Sequence, residues 1–354
     1  MSGNIKKNIL FIIPKNDVGG APKFVKEQID ICYEDGYDCY LATNESGWIN
    51  ETKSDKLKGI LFDKQIEKMF SPFFLFTLIK YMRSNKIKLV VCNSANGGLY
   101  GRLAAFYLRI GSVYVTHGWS SVYNGGRMAF ILNFIERVLS YIGTNVLCIS
   151  NGDVDKAKKY INVPSSKIAH INNALFPLPH RAHAINSPVK VLAVARFKHP
   201  KRVDLLISAF EHIQHAELYV AGDGEQRNEI EQLIKEKNIQ NVHLMGEIKD
   251  FNQFAEFDIF TLISESEGLP MSAIEAMSAG MPLVLSNVGG CPELINQNGC
   301  LVENNIESIL KGIESCILNF DLYTANSLLL FDQKFNLHLR KKEFLLLYSE
   351  CIKK

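Results

Sequence analysis

No Cys-x-x-Cys pair occurs among the eight cysteines, and several of them, such as Cys92 in LVVC and Cys148 in VLCIS, sit inside apolar runs. That distribution argues for buried, reduced thiols and against a zinc site or a disulfide framework. Long apolar runs are missing too: the longest uncharged one, Met69 to Ile79, falls far short of the ~20 residues that span a bilayer. The opening MSGNIKKNILFIIP lacks a small-residue cleavage site and runs into a Gly-containing turn. It reads as a first buried strand rather than a signal peptide, so the protein is expected in the cytoplasm. Nor is there an excess of one charge. Lys plus Arg is 39 against 37 for Asp plus Glu, which gives no reason to expect nucleic acid. The balance hides an asymmetry, with 23 basic and 14 acidic residues up to Asn186 but 16 and 23 beyond it. A basic first half on an acidic second half suggests two domains facing different partners. With 354 residues, 47% of them hydrophobic, the chain can bury a core in each.

Several short motifs are incomplete. GGAPK (19–23) lacks the GK[ST] ending of a phosphate-binding P-loop, and GDGEQR lacks the third glycine of a dinucleotide fingerprint. Asp153-Val-Asp155 spells a DxD string, but it follows SNG at a helix start, where Asn151 or Asp153 reads better as a cap. HRAH (180–183) and HIQH (212–215) fall in a loop and at a helix end, and neither reads as a metal site. No metal ligation is expected.

What is present is alternation. The runs 8–13, 88–93, 113–118 and 145–150 read as strands buried on both faces, separated by helix-period segments at 22–33, 99–108 and 128–140. ALFPLPHRAHAINSP (174–188) has three prolines and no periodicity and reads as a linker. Strand runs then restart at 189–195, 216–222, 241–246, 257–263 and 282–286, again alternating with helices. Two parallel, doubly wound α/β domains follow, placed at 1–178 and 179–333, with 334–354 as a C-terminal amphipathic helix expected to pack back toward the first.

The most informative stretch is SESEGLPMSAIEAMSAGMPLV (264–284). A strand ends, a loop with Gly268 and Pro270 follows, and a helix opens near Met271, with Glu267 before it and Glu275 in its first turns. Backbone amides at such an opening, those of Leu269 and Met271 among them, lack intrahelical partners and suit an anion. Glu275 is placed to accept two hydroxyl hydrogen bonds, as from a vicinal diol. The plainer alternative makes Glu267 a cap and Glu275 a solvated carboxylate, but the small apolar residues around Glu275 favour function.

EGLPMSAIEAMSAGMPLV resembles the E-x7-E segment of retaining glycosyltransferases of family 4, which have the GT-B architecture of two Rossmann-like domains facing a central cleft. ARFKHPKRVD (195–204) resembles the family's R-x4-K segment, THGW (116–119) its His-Gly turn and DVGGAPKFV (17–25) its Gly-Gly loop. NVGGCPELI (287–295) and AGDGEQRNEI (221–230) resemble further segments of its second domain. The resemblance implies that Arg196 and Lys201 bind a donor diphosphate and stabilise the leaving group, that Glu275 holds the ribose hydroxyls, and that Glu267 contacts the donor sugar. The implied catalytic set is His117, Glu267, Arg196 and Lys201. The donor-binding set adds Gly19, Gly20, Gly246, Gly268, Leu269, Pro270, Met271 and Glu275. Transfer would retain anomeric configuration by front-face attack, without a covalent nucleophile and without a metal or other cofactor. The chain departs from the family pattern at Asn173-Ala174 and at Arg202, whose side chain is expected to point to water.

The implied donor is a nucleoside-diphosphate sugar, with UDP-hexose or UDP-N-acetylhexosamine expected, and the implied acceptor is a glycan or polyprenyl-linked glycan of a cell-surface polysaccharide. The segment 64–127 carries nine basic residues against one acidic, with MFSPFFLFTLIKYM (69–82) interleaved. It reads equally as a core helix with a basic rim or as a surface for anionic lipid on the inner face of the plasma membrane. Two rivals remain: a catalytically silent nucleotide-sugar-binding partner of a polysaccharide assembly complex, and a GT-B nucleotide-sugar epimerase.

Overall fold

The computed structural model describes residues 7–123, 126–181 and 183–353. The chain divides into two compact units, one of residues 1–173 with 339–354, the other of 174–338.

The first unit holds a seven-stranded parallel sheet: β1 (Asn8–Ile12), β2 (Asp38–Thr43), β3 (Leu57–Phe62), β4 (Leu89–Asn93), β5 (Gly111–Thr116), β6 (Asn145–Cys148) and β7 (Ile168–His170). Their order is β3-β2-β1-β4-β5-β6-β7. β1, β4 and β5 are buried along almost their whole length, as apolar strands covered on both faces must be. The sheet order reverses at β1 and β4, which are neighbours although two strands separate them in sequence. The helix Leu337–Lys353 returns to this unit through its last residues. Its buried Tyr348 hydroxyl donates to Gln28 Oε1 at 2.8 Å, and Phe344 meets Phe24 edge to face. A Cβ on Gly111 would lie 2.2 Å from the Cys351 carbonyl oxygen, so only glycine lets β5 run this close to the helix end.

The second unit holds six parallel strands: β8 (Val189–Val194), β9 (Ala216–Ala221), β10 (Val242–Gly246), β11 (Ile259–Leu262), β12 (Leu283–Ser286) and β13 (Gly299–Val302). Their order is β10-β9-β8-β11-β12-β13. Alternate residues feed two cores. Val191, Ala193, Leu218 and Val220 join one, while Leu192, Phe260, Leu262 and Leu283 join the other. Here the order reverses between β8 and β11.

The Pro-rich stretch expected to be a linker is instead held along the second unit. Leu175 is buried in its core and bridges to Asn336, and the Leu178 amide donates to Ser278 Oγ at 2.8 Å. Arg181 forms a buried ion pair with Asp258 at 2.7 Å, and the same carboxylate accepts from Asn186 and from the Lys190 amide. A charge buried this deeply persists only when paired and hydrogen-bonded, and Arg181 and its neighbours supply both.

Candidate active site

In an open parallel sheet, ligands bind beyond the carboxyl ends of the strands where the order reverses. In the second unit that place is bounded by the segments leaving β8 and β11. The first carries Arg196 and Lys201, the second Glu267 through Met271. Backbone bonds tie the two together: Arg202 N donates to Ile263 O at 2.9 Å and Glu265 N to Pro200 O at 2.9 Å, flanking a bridge between Lys201 and Ser264. The Lys201 ammonium donates to Glu267 Oε1, and both side chains are largely buried. Arg196 is exposed, and among the described residues no carboxylate pairs with it. One cation is thus held against a carboxylate while the other is open to a ligand.

Arg202 is partly exposed but is not left to water alone. Its guanidinium grips Asp204 with two nitrogens, at 2.9 and 3.0 Å, and reaches Glu265 at 3.0 Å. Those carboxylates hold its pKa above the usual arginine value. It is an element of loop structure, with each of its three nitrogens donating to a carboxylate.

Glycines let the surrounding backbone close in. Gly289 has φ +54, and a Cβ there would lie 1.8 Å from the Glu267 carbonyl oxygen. Gly290 N donates to Gly268 O at 2.8 Å, so the turn after β12 props the Glu267–Gly268 loop from beneath. On the other side, a Cβ on Gly222 would lie 1.9 Å from the Ala195 carbonyl oxygen, and Phe197 N donates to Asp223 O at 2.8 Å. Gly246, at the end of β10, accepts from Gly222 N at 2.8 Å and so braces the turn that braces the Arg196 segment. A buried chain of polar contacts through Ser264, Ser286 and Asn304 joins the ends of β11, β12 and β13.

The helix Met271–Ser278 opens after Pro270, which provides no side-chain cap, and has no acidic residue in its first turn. The helix dipole makes this end positive. Leu269, Pro270 and Met271 are buried, and Gly268 is half-buried. Glu275 is half-buried one turn into the helix.

In the first unit, β5 ends at Thr116, which puts His117 and Gly118 (φ +92) in the turn beyond it. The His117 ring meets Phe24 edge to face, and its Nε2 lies 2.9 Å from Asn93 Oδ1 at the end of β4. Burial pushes its pKa down from 6.5 to about 4. Gly19 precedes the helix Gly20–Glu34, and a Cβ on Gly19 would meet only Pro22 at 3.8 Å.

The DxD string breaks apart: Asp153 is buried, Asp155 is exposed, and the cap of their helix is Ser150, whose Oγ accepts from Asp153 N at 3.0 Å. Of the nine basic residues in 64–127, Arg102 is turned inward and pairs with the buried Glu136 at 2.7 Å, so it is no part of a basic rim. Lys64 pairs with Glu45 at 2.8 Å, and the Arg127 side chain lies outside the described residues. Lys68, Lys80, Arg83, Lys86, Lys88 and Arg109 are exposed. So are aromatic residues on three neighbouring helices: Phe73 and Phe76 on Pro72–Ser84, Phe106 and Tyr107 on Ala95–Leu108, Phe130 and Phe134 on Ala129–Ile142. Among the described residues no helix is long and apolar enough to cross a membrane.

Comparison with known proteins gives one answer throughout. Residues 18–175 match the model of Glycosyltransferase Family 4, and residues 188–319 that of Glycosyl transferases group 1. The chain is 36% identical over 322 residues to the O-antigen biosynthesis glycosyltransferase WbnH of Escherichia coli, covering 91% of this chain and 94% of that one. It is 24% identical to the Escherichia coli UDP-Gal:alpha-D-GlcNAc-diphosphoundecaprenol alpha-1,3-galactosyltransferase, over 83% and 81% of the two chains. The fold superposes on Anabaena HepE, whose crystal structure contains UDP and glucose, with TM-score 0.83 at 18% identity, over 97% of this chain and all of that one.

The depressed pKa of His117 has a measurable consequence. The unfolded chain takes up this proton near pH 6.5, the folded chain only near 4, so the stability tied to the neutral ring is complete above pH 6.5 and declines as pH falls toward 4. NMR titration should show the His117 ring shifts constant from pH 8 to 5.5. A midpoint near 6.5 would contradict the burial argument.

Proposed function

We propose that this chain, which belongs to glycosyltransferase family 4, transfers a hexose or N-acetylhexosamine from its UDP conjugate to a growing glycan, with retention and without a metal. The observation that carries this reading is the meeting of Lys201 and Glu267 at the switch point of the second sheet, beside the exposed Arg196. As the bond between sugar and phosphate breaks, charge builds on the departing diphosphate. Arg196, Lys201 and the positive end of the helix Met271–Ser278 act on that charge more in the transition state than in the ground state. Two fixed cations and a helix end supply what a divalent ion would otherwise supply. Glu275 takes the ribose diol, and Glu267, positioned by Lys201, takes sugar hydroxyls. In the first unit, His117, Gly19 and Gly20 are assigned to the donor sugar and acceptor. The O-antigen role of the Escherichia coli relative and the diphosphoundecaprenol-linked substrate of the other support a polyprenyl-linked glycan as acceptor. An intact constellation also speaks against a catalytically silent partner, and the paired Glu267 and Glu275 against an epimerase.

A lipid-linked acceptor places the enzyme at a membrane surface, and the helix Ala129–Ile142 favours this reading. Its inward face carries Glu136 and Ser140 beside Leu139, while Phe130, Ile131, Phe134 and Val138 are exposed. Together with the exposed cations of 64–127, this is the chemistry of an in-plane contact with anionic lipid at the cytoplasmic leaflet.

Lys201→Ala should lower kcat/KM by about 2–4 kcal/mol in transition-state terms, measured by transfer from UDP-sugars to lipid-linked acceptor. Activity within twofold of wild type would remove Lys201 from the mechanism. The double variant Phe130→Ser/Phe134→Ser should sediment less with vesicles containing anionic phospholipid than wild type does. Equal sedimentation of the two, or no preference of wild type for anionic over zwitterionic vesicles, would remove the membrane contact.

A further inference from the structure

Asn93 carries no role in the reading above, yet it closes β4 at the switch point of the first sheet and is fully buried. The next residue, Ser94, has φ +66 and ψ 166, a backbone region that residues other than glycine rarely occupy. Strain of this kind persists where the surroundings over-determine it, and here it sits directly against the Asn93 peptide. The Asn93 carboxamide is oriented by its own donors. Nδ2 donates to Ile12 O at 3.3 Å, the carbonyl at the end of β1, and more weakly to Val91 O at 3.5 Å. Its Oδ1 is therefore the atom turned to His117, 2.9 Å from Nε2.

An amide oxygen only accepts hydrogen bonds, so the proton of that contact belongs to the imidazole. We propose that Asn93 is a positioning residue that locks His117 in the Nε2–H tautomer and leaves Nδ1 as a hydrogen-bond acceptor. The Phe24 ring, set edge to face at 5.2 Å, restricts rotation of the imidazole about that bond. A neutral histidine fixed this way accepts one hydrogen bond and donates none to a ligand. It suits a sugar hydroxyl, which can donate, and opposes a sugar carboxylate, which at neutral pH can only accept. Sugars carrying a carboxylate at the position facing His117 are thereby selected against.

The inference rests on the assignment of His117 to the donor sugar, and the experiment separates the two. The full chain labelled with 15N-histidine gives long-range proton–nitrogen spectra at pH 7, with the His117 signals identified by their loss in His117→Ala. Wild type should show His117 as the Nε2–H tautomer alone. Asn93→Ala should move it toward Nδ1–H and lower kcat at least tenfold, whereas Asn93→Asp, which keeps an acceptor at the same place, should retain Nε2–H. A wild-type protein with Nδ1–H, or an Asn93→Ala protein with an unchanged tautomer, overturns the inference. The wild-type spectrum decides the matter even if Asn93→Ala does not fold. If His117→Ala keeps full activity while the tautomer results hold, the assignment of His117 to the sugar is what fails.

Discussion

Two adjacent parallel strands whose connections run in opposite directions leave an opening beyond their carboxyl ends, and whatever lines it must come from the loops of those two strands. In the second unit these are the segments after β8 and β11. Loops at such a place are exposed and tend to be mobile. Here they are immobilised from three sides: by the Lys201–Ser264 bridge between them, by the Gly222–Asp223 turn against Ala195 and Phe197, and by Gly289 and Gly290 under Glu267 and Gly268. The approaches at Gly222, Gly289 and Gly290 bring backbone against backbone at a distance that no Cβ would tolerate. The functional side chains are therefore held by main-chain geometry, which mutation of surface residues does not easily disturb.

The consequence is electrostatic preorganisation. Arg202 has the same formal charge as Arg196, but Asp204 and Glu265 occupy its donors, so it stiffens the loop and adds little free positive potential. Lys201 is shared with Glu267, and Arg196 stays open. A site arranged this way does not reorganise when charge develops on a departing diphosphate, and that is the condition under which fixed cations accelerate bond cleavage. His117 in the first unit follows the same economy. Burial disfavours its charged form and a buried neighbour orients its ring.

The central strands were legible because burial on both faces writes an unbroken apolar run, as in NILFI and LVVCN. The strands β2, β3, β7 and β13 were not, and DCYLAT mixes polar with apolar residues although it is buried. LKGILF is only half-buried, IAH is three residues long and GCLV begins at a glycine, so none carries a pattern distinct from loop. The segment 174–188 misled because proline and lack of periodicity describe extended chain equally well when it is packed and when it is free; Arg181 and Asp258, 77 residues apart, decide which. At the site, Glu267 stood out in the loop between strand and helix, and Lys201 through the family resemblance of ARFKHPKRVD. The glycines of NVGGCPELI and AGDGEQRNEI were seen as family segments with no sign of what they brace, and Asn93 not at all, since its meaning lies in contacts with Ile12 and His117 across the sheet. Arg102 was counted as a surface cation because its partner Glu136 lies 34 residues away.

The central claim is that the switch point of the second unit is a metal-free site for a nucleoside diphosphate. Calorimetric titration of the full chain with UDP, GDP, ADP and NAD, each in the presence of EDTA, tests it most directly. The account predicts saturable binding of UDP, unaffected by EDTA and stronger than that of the other three. Binding of UDP that disappears with EDTA, or no binding of any nucleoside diphosphate, would contradict it.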